Sequence, residues 1–143
     1  PSEDTLKINT IKQYIKLGGE RFTVAFVISD KAKEEFEKSN YQESVNLYES
    51  AIALNDKEYI FYENAAMGYD NLNNYQKAEE FYNKVIYEFK TSNGKSEFLK
   101  GLLLLKTNKQ NEGCKYLRIA AQKNYKDSKA GLYSANVYAS LCD

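Results

Sequence analysis

Asn40-Tyr41 and Asn74-Tyr75 open two stretches that match position by position at an offset of 34 residues, and this self-similarity limits the possible folds more than any other feature. After Asn40-Tyr41 come Ser44, Tyr48 and Ala51-Ile52; after Asn74-Tyr75 come Ala78, Tyr82 and Val85-Ile86. A third copy follows with one extra residue. In it Gln110 takes the tyrosine slot, Gly113 the small slot, Leu117 the large slot, and Ala120-Ala121 close the pattern. The extra residue is expected within Thr91-Ser92-Asn93-Gly94. Upstream of each block sits Ala32, Ala66 or Gly101, followed three positions on by Glu35, Tyr69 or Leu104; a further step of 34 reaches Ala135 and Tyr138. A unit of this size cannot bury its own apolar stripe and has to stack on its neighbours. Small residues belong where one helix crosses another and meets a bulky side chain.

The pattern resembles the tetratricopeptide repeat family over about residues 25–140. The small slots Ala32, Ala66, Gly101, Ala78 and Gly113 carry the match, with the large slots Tyr69, Tyr48, Tyr82 and Leu117 and the closing Ala51 and Ala120. Asp56 stands where the family usually has a proline between repeats. The resemblance implies an all-α fold, a right-handed superhelical array of antiparallel helix pairs. Its parts would be an N-terminal helical segment (1–24), three repeats (25–58, 59–93, 94–127) and a C-terminal capping helix (128–143). It also implies a non-enzymatic scaffold that binds a protein or peptide segment in a concave groove.

Local signals agree with helix pairs at 26–38, 41–54, 57–71, 75–89, 96–107, 110–123 and 128–141. Asn40 with Glu43, and Asn55 with Glu58, have the spacing of capping pairs, and Asp127 is expected to cap the last helix. Arg21 to Ile28 is β-branched enough to suggest a strand, but the repeat register makes Val24 to Ile28 the opening of a helix. Before the repeats, Ile8, Ile11 and Ile15 recur at helical spacing beside Lys12 and Lys16, with Gly18-Gly19 behind them, which predicts an amphipathic helix packed on a repeat.

Chemistry is scarce. The chain has no histidine and no tryptophan, and its one proline is at position 1, so the commonest general base and metal ligand are missing. No nucleophile motif, glycine-rich phosphate loop or metal spacing is present. Acids such as Glu34-Glu35, Glu79-Glu80 and Asp70 have the spacing of a solvated helix face. We therefore expect no enzymatic activity, no cofactor and no metal. Of the thirteen tyrosines, Tyr41, Tyr48, Tyr69, Tyr75, Tyr82 and Tyr138 fill repeat slots, so a structural role is expected for most of the set.

Twenty basic residues balance twenty acidic ones, so no net field draws the chain to nucleic acid. The balance is uneven along the chain, with four basic against eight acidic residues in 25–58 and nine against four in 94–143. Self-association of unlike ends is one reading of this gradient, and the oligomeric state stays open. The apolar runs Val24 to Ile28 and Leu102 to Leu105 are far short of the roughly 18 residues a transmembrane helix needs.

Carrying the family's groove slots across by register names Phe26, Ser29, Lys33, Phe36 and Glu37; Ile60, Glu63, Met67, Asp70 and Asn71; Lys95, Phe98, Leu102, Leu105 and Lys106; then Lys129, Leu132 and Asn136. Leu102 and Leu105 lie on a helix apolar around most of its circumference and need a cover: a partner peptide, a second copy, or the N-terminal helix folded back. Some family members grip a partner's C-terminal carboxylates with lysine and asparagine. The matching slots here hold Ser29, Lys33 and Met67, so that role is not carried over. A small-molecule or glycan-binding accessory is the alternative from another class.

Cys114 and Cys142 are either two free thiols or a bridge. An antiparallel hairpin of the last two helices would bring the start of one beside the end of the other, which favours the bridge and a clamp on the terminal helix. The stretch from Glu112 to Cys142 also resembles the closing segment of repeat proteins of Bacteroidetes-type bacteria, in which a small residue plus cysteine opens the final helix and another cysteine ends the chain. A persistent disulfide points to an extracytoplasmic place, periplasmic or at the cell surface, with the cytoplasm as the alternative.

Overall fold

The computed structural model describes Lys12 and residues 21–142; the helix expected around Ile8, Ile11 and Ile15 lies outside the described residues, apart from Lys12. The chain divides into two compact units, Pro1–Asn74 and Tyr75–Asp143. The first unit holds α1 (Arg21–Glu37), α2 (Tyr41–Leu54) and α3 (Tyr59–Asn71). The second holds α4 (Tyr75–Asn83), which runs on as a π-helical turn over Lys84–Phe89, then α5 (Lys95–Lys106), α6 (Gln110–Gln122), a two-stranded ribbon (β1 Lys126–Asp127, β2 Leu132–Tyr133) and α7 (Ser134–Cys142). The fold is an all-α helical repeat.

In α1 the buried residues Val24, Ala25, Ile28, Ala32 and Glu35 recur every three or four positions, so burial of one helical face overrides the β-propensity of Phe22 to Val27. The helix starts five residues before the expected boundary.

Three turns repeat the same geometry. Ser39, Asn73 and Asn108 each adopt the left-handed conformation, with φ of 64°, 60° and 64°. Each lets the next residue's N–H bond back across the helix end, from Asn40 to the Glu35 carbonyl (2.8 Å), from Asn74 to that of Tyr69 (2.9 Å) and from Lys109 to that of Leu104 (2.8 Å). These are helix C-caps that satisfy otherwise orphaned carbonyls, and asparagine is the non-glycine residue that best tolerates them. The residues Glu35, Tyr69 and Leu104, which share one slot of the sequence repeat, thus share one backbone role.

The small slots sit at helix crossings. Ser44 Oγ donates to the Ala32 carbonyl at 2.8 Å. At the crossing of α5 and α6 two backbones meet: a Cβ on Gly101 would lie 2.8 Å from Leu117, and one on Gly113 would lie 2.9 Å from the Gly101 carbonyl oxygen. The crossing is that close because neither helix carries a side chain there.

Four local expectations are corrected. The last helix starts at Ser134, not 128, because Lys126 pairs with Tyr133 and Asp127 with Leu132 in an antiparallel ribbon. Asp127 turns that ribbon, accepting from the Ala130 N–H at 3.2 Å, and caps nothing. Asn40 precedes α2 but makes no side-chain cap, since its amide donates to Glu35 at 2.8 Å. Asn55 accepts from the Lys57 N–H at 3.1 Å in a turn, and the N-cap position of α3 falls to Glu58. The π turn, which holds one residue more than an α turn, takes up the extra residue of the third copy ahead of the loop at Thr91 to Gly94.

Candidate functional site

The first unit exposes an apolar face. Phe22 is 58% exposed and Phe26 44% on α1, and Ile60 is 46% exposed on α3, while the exposed Val27 lies about 100° round α1 from Phe26. Phe26 packs edge-on against Phe61 with ring centroids 5.3 Å apart, which ties the exposed ring of α1 to the buried core of α3. Lys33 is exposed, Met67 and Asp70 are half-buried, and Glu63 is buried. Phe36 leans away from this face onto α2, its ring 5.2 Å from that of Tyr41 and edge-on to it.

At the C-terminal end of α1 lies a polar network that the sequence presented as solvated surface. Glu35 is buried, accepts from Asn40, and pairs with Lys31 (3.4 Å) and Lys38 (3.7 Å). The Asn40 amide, helped by both lysines, holds the Glu35 carboxyl below its ordinary pKa despite its burial, and Glu35 in turn raises that of Lys31. The network joins α1 to the turn that starts α2.

In the second unit the residues carried over by register are mostly occupied. Phe98 is 2% exposed and belongs to a core cluster with Leu117 and Ala120, against which Leu102, Leu105, Tyr125, Val137, Tyr138 and Cys142 also pack. Leu105 faces Gly113, and Lys106 places its ammonium over the Tyr75 ring at 4.9 Å. Part of the cover for the apolar α5 helix is therefore α7, a segment of the chain itself that the sequence reading did not nominate.

Two buried ionic groups went unread in the sequence. Glu97, 1% exposed, pairs with Lys123, which also donates to the Thr91 carbonyl at 2.9 Å and so pins the start of α5 to the end of α6. Lys100 is buried with its ammonium 4.0 Å above the Tyr116 ring, donates to Asn83 Oδ1 at 2.5 Å and faces Glu79 at 3.8 Å. Burial lowers the Lys100 pKa, and the hydrogen bond to the Tyr116 hydroxyl raises that of Tyr87.

The tyrosine slots are structural. Tyr48, Tyr69 and Tyr82 are buried, and the Tyr48 hydroxyl accepts from Asn64 at 3.1 Å. Burial pushes the phenols of Tyr48 and Tyr69 up from their usual pKa. Cys114 and Cys142 are bonded as a disulfide with Cα atoms 5.7 Å apart. Among the described residues no group of three or more acids or cysteines could hold a metal ion, and no helix is long and apolar enough to cross a membrane.

With helices, turns and crossings in place, comparison with known proteins narrows the fold. No family model and no curated protein matches the chain. Among solved structures, the Arabidopsis OM64 TPR domain is similar at 22% identity and a TM-score of 0.73, over 84% of this chain and 94% of that one. The fold is tetratricopeptide-repeat-like. The first TPR of Spaghetti (RPAP3), bound to the HSP90 peptide SRMEEVD, matches at 18% identity and a TM-score of 0.70, over 82% of this chain and 89% of its own. The TPR2B domain of yeast Sti1 in its pHsp70 complex matches at 22% and 0.70, over 82% and 91%. Identities this low establish the shared tetratricopeptide-like fold and no more.

Proposed function

We propose that the chain is a non-enzymatic interaction module that binds a protein or peptide segment on the face formed by α1 and α3. The observation that carries this is the exposure of Phe22, Phe26 and Ile60, large apolar side chains left in water on two neighbouring helices. One solved domain of the same fold binds the HSP90 peptide SRMEEVD and another forms a pHsp70 complex, which supports a partner-binding use of the fold.

The ligand differs from those peptides. SRMEEVD carries two glutamates and a C-terminal aspartate, whereas the first unit offers Ser29, Lys33 and Met67 at the corresponding slots. Apolar contact around Phe26 and Ile60 dominates, so the favoured partner is a segment with large apolar side chains. The disulfide between Cys114 and Cys142 supports an extracytoplasmic location, periplasmic or at the cell surface, as does the resemblance of the C-terminal segment to Bacteroidetes-type repeat proteins.

Selection of binders from a random-peptide display library tests the proposal. Selected peptides should be rich in apolar residues and lose at least tenfold in affinity against Phe26→Asp or Ile60→Asp. Peptides that bind both variants as well as the parent protein overturn it.

A further inference from the structure

The last helix is held at two points and thinly packed between them. At its start, Ser134 Oγ donates to the Tyr125 carbonyl at 2.6 Å with the Ala120 carbonyl also in reach at 3.2 Å, and the Ser134 N–H donates to Tyr125 O at 3.0 Å. At its end Cys142 is bonded to Cys114 of α6. Ser134 is the one buried residue of α7, and between the two anchors only Val137 and Tyr138 are partly buried, against Phe98, Leu117 and Ala120. Ala135, Asn136, Ala139, Ser140 and Leu141 face water.

The third copy of the repeat is altered just where α7 ends. Its tyrosine slot holds Gln110, whose amide donates to the Leu141 carbonyl at 3.1 Å and lies 3.5 Å from Cys114 Sγ. Glutamine thus meets the helix terminus and the disulfide where Tyr41 and Tyr75 stand in the other copies. Both cysteines are only half-buried, so a thiol reagent can reach the bond.

We propose that the Cys114–Cys142 bond is a redox latch on a local cover. Closed, it keeps α7 over the apolar side of α5; opened by a dithiol reductant, it releases α7 alone and uncovers the Phe98 and Leu102 surface, while α4, α5 and α6 stay folded. The exchange balances as follows. One thiolate of the reductant attacks a sulfur of the bond, its second thiol resolves the mixed disulfide, and the reductant leaves as a disulfide. Cys114 and Cys142 end as two thiols, having gained two electrons and two protons.

Locality follows from where the packing lies. The α5/α6 crossing at Gly101 and Gly113 and the Glu97–Lys123 and Lys100 groups join α4, α5 and α6 without α7, which adds Val137, Tyr138 and Cys142 to one side of the Phe98 cluster. The bond closes a loop spanning a sequence separation of 28, and full release of that constraint in the chain-entropy model corresponds to roughly a 400-fold shift in opening equilibrium.

Hydrogen exchange read by mass spectrometry on the full chain, oxidised and after reduction with dithiothreitol, tests the latch, with a Cys114→Ser/Cys142→Ser variant as a non-redox copy of the open state. Amides of 135–142 should exchange at least tenfold faster in the reduced protein and in the variant, with those of α4 to α6 changed less than threefold. An anilinonaphthalene sulfonate dye should bind the reduced form and be released on reoxidation. Unchanged exchange in α7 overturns the latch, and so does a collective loss of protection across α4 to α7, which would make the bond a global staple.

Discussion

Gly113→Ala places one methyl group where α5 and α6 touch. A β-carbon there would meet the Gly101 carbonyl oxygen at 2.9 Å and the Leu105 side chain at 3.0 Å. Ordinary contacts begin near 3.4 Å, and the nearest atom is backbone, so the helices must part by about half an ångström or Leu105 must leave its rotamer. Alanine is the better helix former by about 1 kcal/mol, while overpacking a core costs typically about 1–3 kcal/mol. Here the steric cost exceeds the propensity gain, because separating the helices also loosens Leu117 and Phe98 behind the crossing. We expect a net loss of about 1–2 kcal/mol, read as a lower urea midpoint at unchanged slope with the disulfide intact. A variant as stable as the parent, or more so, would show that helix propensity decides this position and would refute the close-crossing argument.

The left-handed turn at Ser39 predicts that Ser39→Gly raises stability by about 0.5–1 kcal/mol and Ser39→Val lowers it by at least that much, checked by urea unfolding. Removing the partly exposed cation in Lys123→Met leaves the buried Glu97 carboxylate uncompensated, and urea unfolding should report a loss of about 1–3 kcal/mol. Because the folded pKa of Glu35 lies below its ordinary value of 4.5, its contribution is present above that pH and is lost as pH falls through the folded pKa. The urea midpoint should therefore drop between pH 5 and 3, and Asn40→Ala, which removes the largest cause of the shift, should flatten that drop; equal slopes in both proteins would contradict the assignment.

Periodicity revealed most of the architecture, since a 34-residue spacing of small residues dictates where helices cross, and Ala32, Ser44, Gly101 and Gly113 stand at those crossings. The hairpin argument for Cys114 and Cys142 worked for the same reason. What periodicity could not foresee is how the array ends. Copying groove slots into the third repeat assumes that the next helix is a repeat helix, but a ribbon at Lys126 to Tyr133 delays α7, which then covers Phe98. Charge was misleading too. Glu35 has the spacing of a solvated face, and nothing in the sequence singles out Glu97 or Lys100, yet each is buried because its partner comes from another turn or helix: Asn40, Lys123 and Asn83. Single-residue type carries no information about such non-local partners.

The central claim is that partner binding uses the exposed face of α1 and α3. Backbone amide chemical-shift mapping of the oxidised protein, titrated with a display-selected apolar peptide, tests it most directly. Shifts concentrated on Phe22 to Lys33 of α1 and Ile60 to Asp70 of α3 are predicted, and they should vanish in Phe26→Asp/Ile60→Asp with the rest of the spectrum unchanged. Shifts that leave these helices untouched would contradict the account.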